Sequence, residues 1–172
     1  MIIAEAVGPT SSVLAIECDE GLAARSRANL RAWPHVNIVT GDGATFDLGE
    51  FDVGYINAGA SRLMPRWLAG LRPGGRLLVP LTVDPSMSAG GYTLLVTRTG
   101  ERWSARFTGF VAIYPCDGAR DTTCASCTSS RSFAMCSRCG AIRTSAKRPA
   151  RCIWTTTASR RCRRILSMCR VE

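Results

Sequence analysis

Three polar side chains stand where apolar runs stop. Glu17 ends VLAIE, Asp42 lies in the Gly41-Asp42-Gly43 that follows VNIVT, and Asn57 ends FDVGYIN. Two carboxylates and an amide can accept hydrogen bonds from hydroxyl and amino groups, and flanking glycines let a backbone approach a ligand closely. Each has a plainer alternative. Gly41-Asp42-Gly43 suits a simple turn, and Glu17 suits a solvated loop acid. A second set of reactive residues lies downstream, in Cys124-x2-Cys127 and Cys136-x2-Cys139. Two such pairs can give four thiolates to a tetrahedral zinc, and the arginines around them would suit a small module that binds nucleic-acid phosphates. The eight residues between the pairs make a shorter gap than the usual ~15–20.

The elements that must position the first set follow from apolar patterning. Met1 to Val7 reads as the last turns of a helix, stopped by Gly8-Pro9. Val13 to Glu17 is a buried-strand run. Asp19 suits an N-cap for a helix over Glu20 to Ala32, with Leu22, Ala23, Ser26 and Leu30 on its inner face and the arginines largely outside. Val36 to Val39, Phe51 to Asn57 and Leu71 to Leu81 are three further strands, the last opening on Pro73-Gly74-Gly75. Ser61 to Leu71 carries Leu63, Trp67, Leu68 and Leu71 at helical spacing, which makes a strand–helix–strand crossover with its neighbours. Gly91 to Tyr114 alternates apolar and polar residues about Thr99-Gly100, as an antiparallel hairpin at a sheet edge would. The fold expected is α/β, a Rossmann-like, mostly parallel sheet with an antiparallel edge hairpin. In such sheets ligands bind outside the carboxyl ends of the strands, where Glu17, Asp42 and Asn57 fall. An acid at the tip of the second strand of a nucleotide-binding sheet can accept both hydroxyls of a ribose.

Composition divides the chain near Cys116. Residues 1–115 contain ten arginines, no lysine and ten acids, whereas residues 116–172 contain eleven arginines, one lysine and three acids, so the whole +9 charge lies in the second stretch. Eight of the nine cysteines lie there too. No apolar run approaches the ~20 residues of a membrane span. MIIAEAVG lacks the basic region of a secretory leader, so a cytoplasmic location is expected, with no membrane partner.

Taken in order, VLAIECDEGLAARSRANL, NIVTGDGATF, FDVGYINAGAS and LRPGGRLLVPLT resemble the class I S-adenosylmethionine-dependent methyltransferases. Within that class they are most similar to the protein-L-isoaspartate O-methyltransferases. FVAIYPC, Phe110 to Cys116, sits where that family has a late FVPL-like strand. The resemblance covers about residues 1–115. It implies that Glu17 holds the ribose hydroxyls of S-adenosylmethionine and that Asp42 accepts from the adenine amino group. Gly43 and Ala44 would give backbone contacts, and Asn57 would lie near the methyl-donor end. It also implies methyl transfer to a protein or peptide carboxylate, a protein-repair activity. A dinucleotide-binding Rossmann domain is the alternative enzyme reading, sharing the acid at Glu17 but not needing Gly41-Asp42-Gly43 or PGGRLLVP.

The family begins with a strand and a glycine-rich loop that cradle the methionine end of the cofactor, and this chain starts after them. Cofactor binding is therefore expected to be weak or lost, and catalysis impaired or absent. The strands beside the missing one are expected to show open edges that invite association. Residues 116–172 show neither strand alternation nor a helical stripe. They are read as a basic Cys/Arg/Ser-rich tail, disordered or irregular, produced by a shift of reading frame between Pro115 and Thr123, in preference to a zinc module. Nucleic acid is not an expected partner, and no metal is assigned.

Overall fold

Each run read as a strand becomes one in the computed structural model, which describes residues 2–82, 90–120 and 164–169. The strands are β1 (Ser12–Glu17), β2 (Val36–Thr40), β3 (Phe51–Asn57), β4 (Leu71–Thr82), β5 (Gly91–Thr99), β6 (Arg102–Val111) and β7 (Arg164–Cys169). They form one sheet in the order β2-β1-β7-β3-β4-β5-β6. The first five of these run parallel, and β5 and β6 pair antiparallel at one side. The expected mixed sheet with an antiparallel edge hairpin is thus what forms. Gly100, at φ +61°, supplies the left-handed residue that turns β5 into β6.

Among the described residues the α-helices are α1 (Ile2–Val7), which leads into β1, α2 (Glu20–Asn29), which joins β1 to β2, and α3 (Pro65–Gly70), which joins β3 to β4. Asp19 caps α2, its Oδ1 accepting from Leu22 N at 2.8 Å, and Ala23 on the inner face is buried. The helix stops at Asn29, three residues short of the expected end. There Leu30 N donates to Ser26 O, and Trp33 and Val36 continue with turn hydrogen bonds that lead into β2. The helix expected over Ser61 to Leu71 is shorter as well. Pro65 occupies its first turn, where a missing N–H costs nothing, and Ser61 to Met64 form a bend ahead of it.

β4 absorbs the Pro73-Gly74-Gly75 turn without ending. Phe51 pairs with Leu71 but Val53 pairs with Arg76, so extra residues of β4 bulge between the two. Gly74 takes φ +83° there, and a Cβ on Gly75 would lie 2.8 Å from the carbonyl oxygens of both Arg72 and Asp52. Only glycine fits that approach.

The core lies around the middle of β3 and β4. Phe51, Ile56, Trp67, Leu71, Leu77, Val79, Leu94 and Val96 are fully buried, with Leu14 and Ile16 of β1 joining them. Burying a side chain of this size contributes roughly 1.5–3 kcal/mol. This packing fixes the ends of β1 and β3, which carry the polar residues singled out above. No helix among the described residues is long and apolar enough to cross a membrane.

Two elements lie beyond residue 115, where an irregular tail was expected. Asp117–Ala119 forms a 3-10 turn, and β7 pairs in parallel with both β1 and β3. β7 therefore fills the slot between them, and the expectation that these two strands present open edges is corrected. Strand pairing uses backbone groups of any sequence, which is why RILSMC gave no alternation to read. The pairs Cys124/Cys127 and Cys136/Cys139 lie outside the described residues.

Candidate functional site

Parallel strands deliver their last residues to one edge of the sheet. Ile16 of β1 and Ile56 of β3 are both level with Met168 of β7. Glu17 and Asn57, one residue further on, thus end their strands at the same height, about 10 Å apart across two strand spacings. Glu17 is also level with Thr40 of β2, two residues before Asp42. The sheet thus brings all three polar residues to its carboxyl edge.

Glu17 is buried, and its own loop holds it. Oε1 accepts from Asp19 N at 3.0 Å and from the Cys18 thiol at 3.5 Å. Oε2 accepts from none of the described residues. Oε2 is not among the buried atoms left without a partner, so it opens to solvent and is available to a donor from outside the protein. Gly41 N donates to Glu17 O at 2.9 Å and ties the β1 and β2 loops together. Arg27, exposed like the other arginine of α2, reaches along the surface to Ile38 O at 3.1 Å and Thr40 Oγ1 at 2.7 Å, and so steadies the end of β2.

Asp42 is half-buried and folds its loop around itself. Oδ1 accepts from Ala44 N at 2.9 Å, Oδ2 from Thr45 Oγ1 at 3.3 Å, and its carbonyl from Thr45 N and Phe46 N. Gly43 and Ala44 are buried beneath it, and the Gly43 carbonyl accepts from Trp67 Nε1 at 2.9 Å. The Ala44 N–H is thus engaged by Asp42 itself. Asn57 accepts at Oδ1 from the Tyr55 hydroxyl at 3.0 Å. Tyr55 was not singled out from sequence, although residues two apart on a strand share a face.

The stretch from Tyr114 to Arg120 also reaches this edge, and the sequence reading did not foresee it. Gly59 N donates to Tyr114 O at 2.7 Å, Cys116 N to Gly59 O at 2.9 Å, and Ser61 N to Ala119 O at 3.0 Å. Arg120 Nη1 closes the stretch down on Gly59 O and Thr82 Oγ1, each at 3.0 Å. Burial pushes the Cys116 thiol up from its ordinary pKa. The Ala119 backbone hydrogen bond opposes that shift, and the nearby charges of Asp42, Asp117 and Cys18 add to it. A thiol kept neutral in this way is a poor nucleophile. Among the described residues no group of three His, Cys, Asp or Glu side chains could hold a metal ion.

What the edge can do is accept. Two carboxylates and an amide face one rim of a parallel sheet, with glycine backbone between them, as a ligand rich in hydroxyl and amino donors requires. Known proteins of similar sequence and fold are methyltransferases by name. The family model for protein-L-isoaspartate(D-aspartate) O-methyltransferase matches residues 1–91. A curated relative, protein-L-isoaspartate O-methyltransferase 1 of Anaeromyxobacter sp. (strain Fw109-5), is 38% identical over 82 residues, which cover 45% of this chain and 39% of the relative. The chain therefore spans about two fifths of that relative's length. Among solved structures, a protein-L-isoaspartate O-methyltransferase superposes with a TM-score of 0.59 at 19% identity, covering 66% of this chain and 37% of the other. A putative protein-L-isoaspartate O-methyltransferase from Plasmodium falciparum, in complex with S-adenosyl-L-homocysteine, gives 0.53 at 13% identity, covering 67% and 69%. At these identities the superpositions speak for the fold alone.

Proposed function

The chain belongs to the protein-L-isoaspartate(D-aspartate) O-methyltransferase family, and from that membership we propose that its carboxyl edge receives the nucleoside half of S-adenosylmethionine. Glu17 accepts from the ribose hydroxyls through the oxygen its own loop leaves over. Asp42 accepts from the adenine amino group, with Gly43 and Ala44 under the base, and Asn57 lies toward the methyl-donor end. The cofactor, when bound, supplies a methyl group on a sulfonium. The residues here orient it: two carboxylates hold the nucleoside, and Tyr55 fixes the amide of Asn57. The acceptor in this reading is the carboxylate of an isoaspartyl residue in a protein or peptide, as in a cytoplasmic repair activity. That carboxylate would receive the methyl group the bound cofactor supplies, becoming a methyl ester and leaving the cofactor's sulfur as a thioether, with Glu17 and Asp42 holding the nucleoside.

The described residues supply more for the nucleoside than for the donor end. Binding is accordingly read as weak and methyl transfer by this chain as slow or absent. The observation that carries the proposal is the buried Glu17 carboxylate, tied to its loop through Oε1 alone. The test is a titration of the protein with S-adenosylhomocysteine, followed by calorimetry or by amide chemical shifts. Saturable binding that Glu17→Ala weakens is the expected result. Binding unchanged by Glu17→Ala would refute the assignment.

A further inference from the structure

The Cys116–Ala119 turn stands directly in front of Asp42. A Cβ built on Gly118 would lie 2.3 Å from Asp42 Oδ1, 2.5 Å from Oδ2 and 2.6 Å from Cγ. The missing side chain at 118 is therefore the space in which the carboxylate sits. The contact is not a loose one. Ala119 is fully buried, and its carbonyl accepts from both the amide and the hydroxyl of Ser61, at 3.0 and 3.4 Å. Cys116 is buried on the other side, hydrogen-bonded to Gly59, and Arg120 anchors the exit on Gly59 O and Thr82 Oγ1. A turn held at both ends cannot back away from a methyl group at 118. Asp42 would have to give instead, breaking the hydrogen bond from Ala44 N that sets its orientation. Gly118 has no positive φ, so alanine suits its backbone and only the Asp42 carboxylate would have to move for it.

We infer that Gly118 is a specificity-determining residue of the nucleoside site. Its bare backbone forms the wall opposite Asp42 and holds the carboxylate at the angle that accepts a six-amino purine. This rests on the reading of Asp42 given above. It adds that the selection of adenine depends on a residue 76 positions away in sequence, brought to the edge by the Gly59, Ser61 and Thr82 contacts. Asp42 keeps that angle only while Ala44 N and Thr45 Oγ1 hold its oxygens, and a side chain at 118 would displace them.

The experiment titrates adenosine and inosine into the full chain, its Gly118→Ala and Asp42→Ala variants, and the double variant. Two-dimensional amide spectra report both folding and Kd. Adenosine has an amino donor at position six, and inosine has an oxo group in its place. Gly118→Ala is expected to weaken adenosine by about tenfold, the scale of one lost hydrogen bond, and inosine by less than about twofold. In the Asp42→Ala background the same substitution should have no further effect on adenosine, because the methyl then has room. If Gly118→Ala is too unstable for titration, that double variant against Asp42→Ala supplies the test through stability. Restored folding supports the steric contact with Asp42, and failure to restore it overturns the inference. Asp42→Ala weakening adenosine while Gly118→Ala binds like the parent, or more tightly, overturns this inference alone. Equal losses for adenosine and inosine overturn it as well, since the wall would then not select. Asp42→Ala binding like the parent, or a parent that binds neither nucleoside, overturns the nucleoside reading together with it.

Discussion

The two edges of this sheet both bury charge, and they treat it differently. At the amino edge of the parallel strands, Arg98 is 6% exposed and donates to Leu71 O at 2.6 Å and Gly100 O at 3.0 Å, with its guanidinium 5.3 Å from the centre of the Trp103 ring. Arg72, 9% exposed, meets Glu50 at 3.1 Å and Asp52 at 3.7 Å. Its Nε has no partner among the described residues. Both arginines are answered by acceptors of the fold itself, backbone carbonyls for Arg98 and two carboxylates for Arg72. At the carboxyl edge Glu17, 5% exposed, has no basic side chain among its hydrogen-bond partners and commits one oxygen to its own loop. Burial of similar depth therefore has two meanings. A charge met by opposite charges or carbonyls of the fold is structural, and a carboxylate with no basic partner and one oxygen open to solvent is available to a ligand.

Substitutions on the two edges should separate these meanings, the largest effect coming from the structural side. Arg98→Met leaves the Leu71 carbonyl without its donor and should lower unfolding free energy by about 3 kcal/mol, read from the urea midpoint. Nucleoside affinity of the folded fraction should not move. Were this variant as stable as the parent, the structural edge would have been misread. Glu17→Ala should reverse the pattern. Adenosine affinity should fall by roughly 10–100-fold, as loss of a charge-assisted contact to two hydroxyls requires, with less loss of stability than Arg98→Met. Asp42→Ala should cost less, about tenfold, because one amino donor is involved. An order in which Asp42→Ala hurts more than Glu17→Ala would shift the site from the β1 loop to the β2 loop.

The smallest effect is a pH dependence at the carboxyl edge. Burial raises the Cys116 thiol above the 9.0 of an ordinary cysteine. The folded chain then holds that proton more tightly than the unfolded one. The resulting stability is fully present below the unfolded value and is lost as pH rises through the folded one. Thermal melts above pH 9 should fall more steeply for the parent than for Cys116→Ala. Equal slopes would mean that the thiol is not held neutral by its surroundings.

Much of the parallel edge was legible because it rests on local rules. β3 has the bounds its apolar run suggested, Asp19 caps α2 through its own side chain, and Gly100 turns the hairpin. What was illegible depends on contacts between distant residues. Nothing in FVAIYPC says that Gly118 will face Asp42, because that approach is set by Gly59, Ser61 and Thr82. The strand over Leu71 to Leu81 was legible, but that Pro73 to Gly75 would bulge out of its pairing with β3 between Leu71 and Arg76 was not. β7 was invisible for a different reason. A strand received between two ready-made neighbours needs little pattern of its own, since both sets of its backbone groups are paired for it.

The central claim is that the carboxyl edge, and only that edge, receives an adenine nucleoside. Mapping amide chemical-shift changes during a titration with S-adenosylhomocysteine tests it most directly. The account predicts saturable shifts clustered at Asp19, Asp42 to Thr45, Asn57 and Gly118, with Thr99 to Arg102 at the opposite edge unmoved. Shifts centred on that hairpin, or none that saturate, would contradict it.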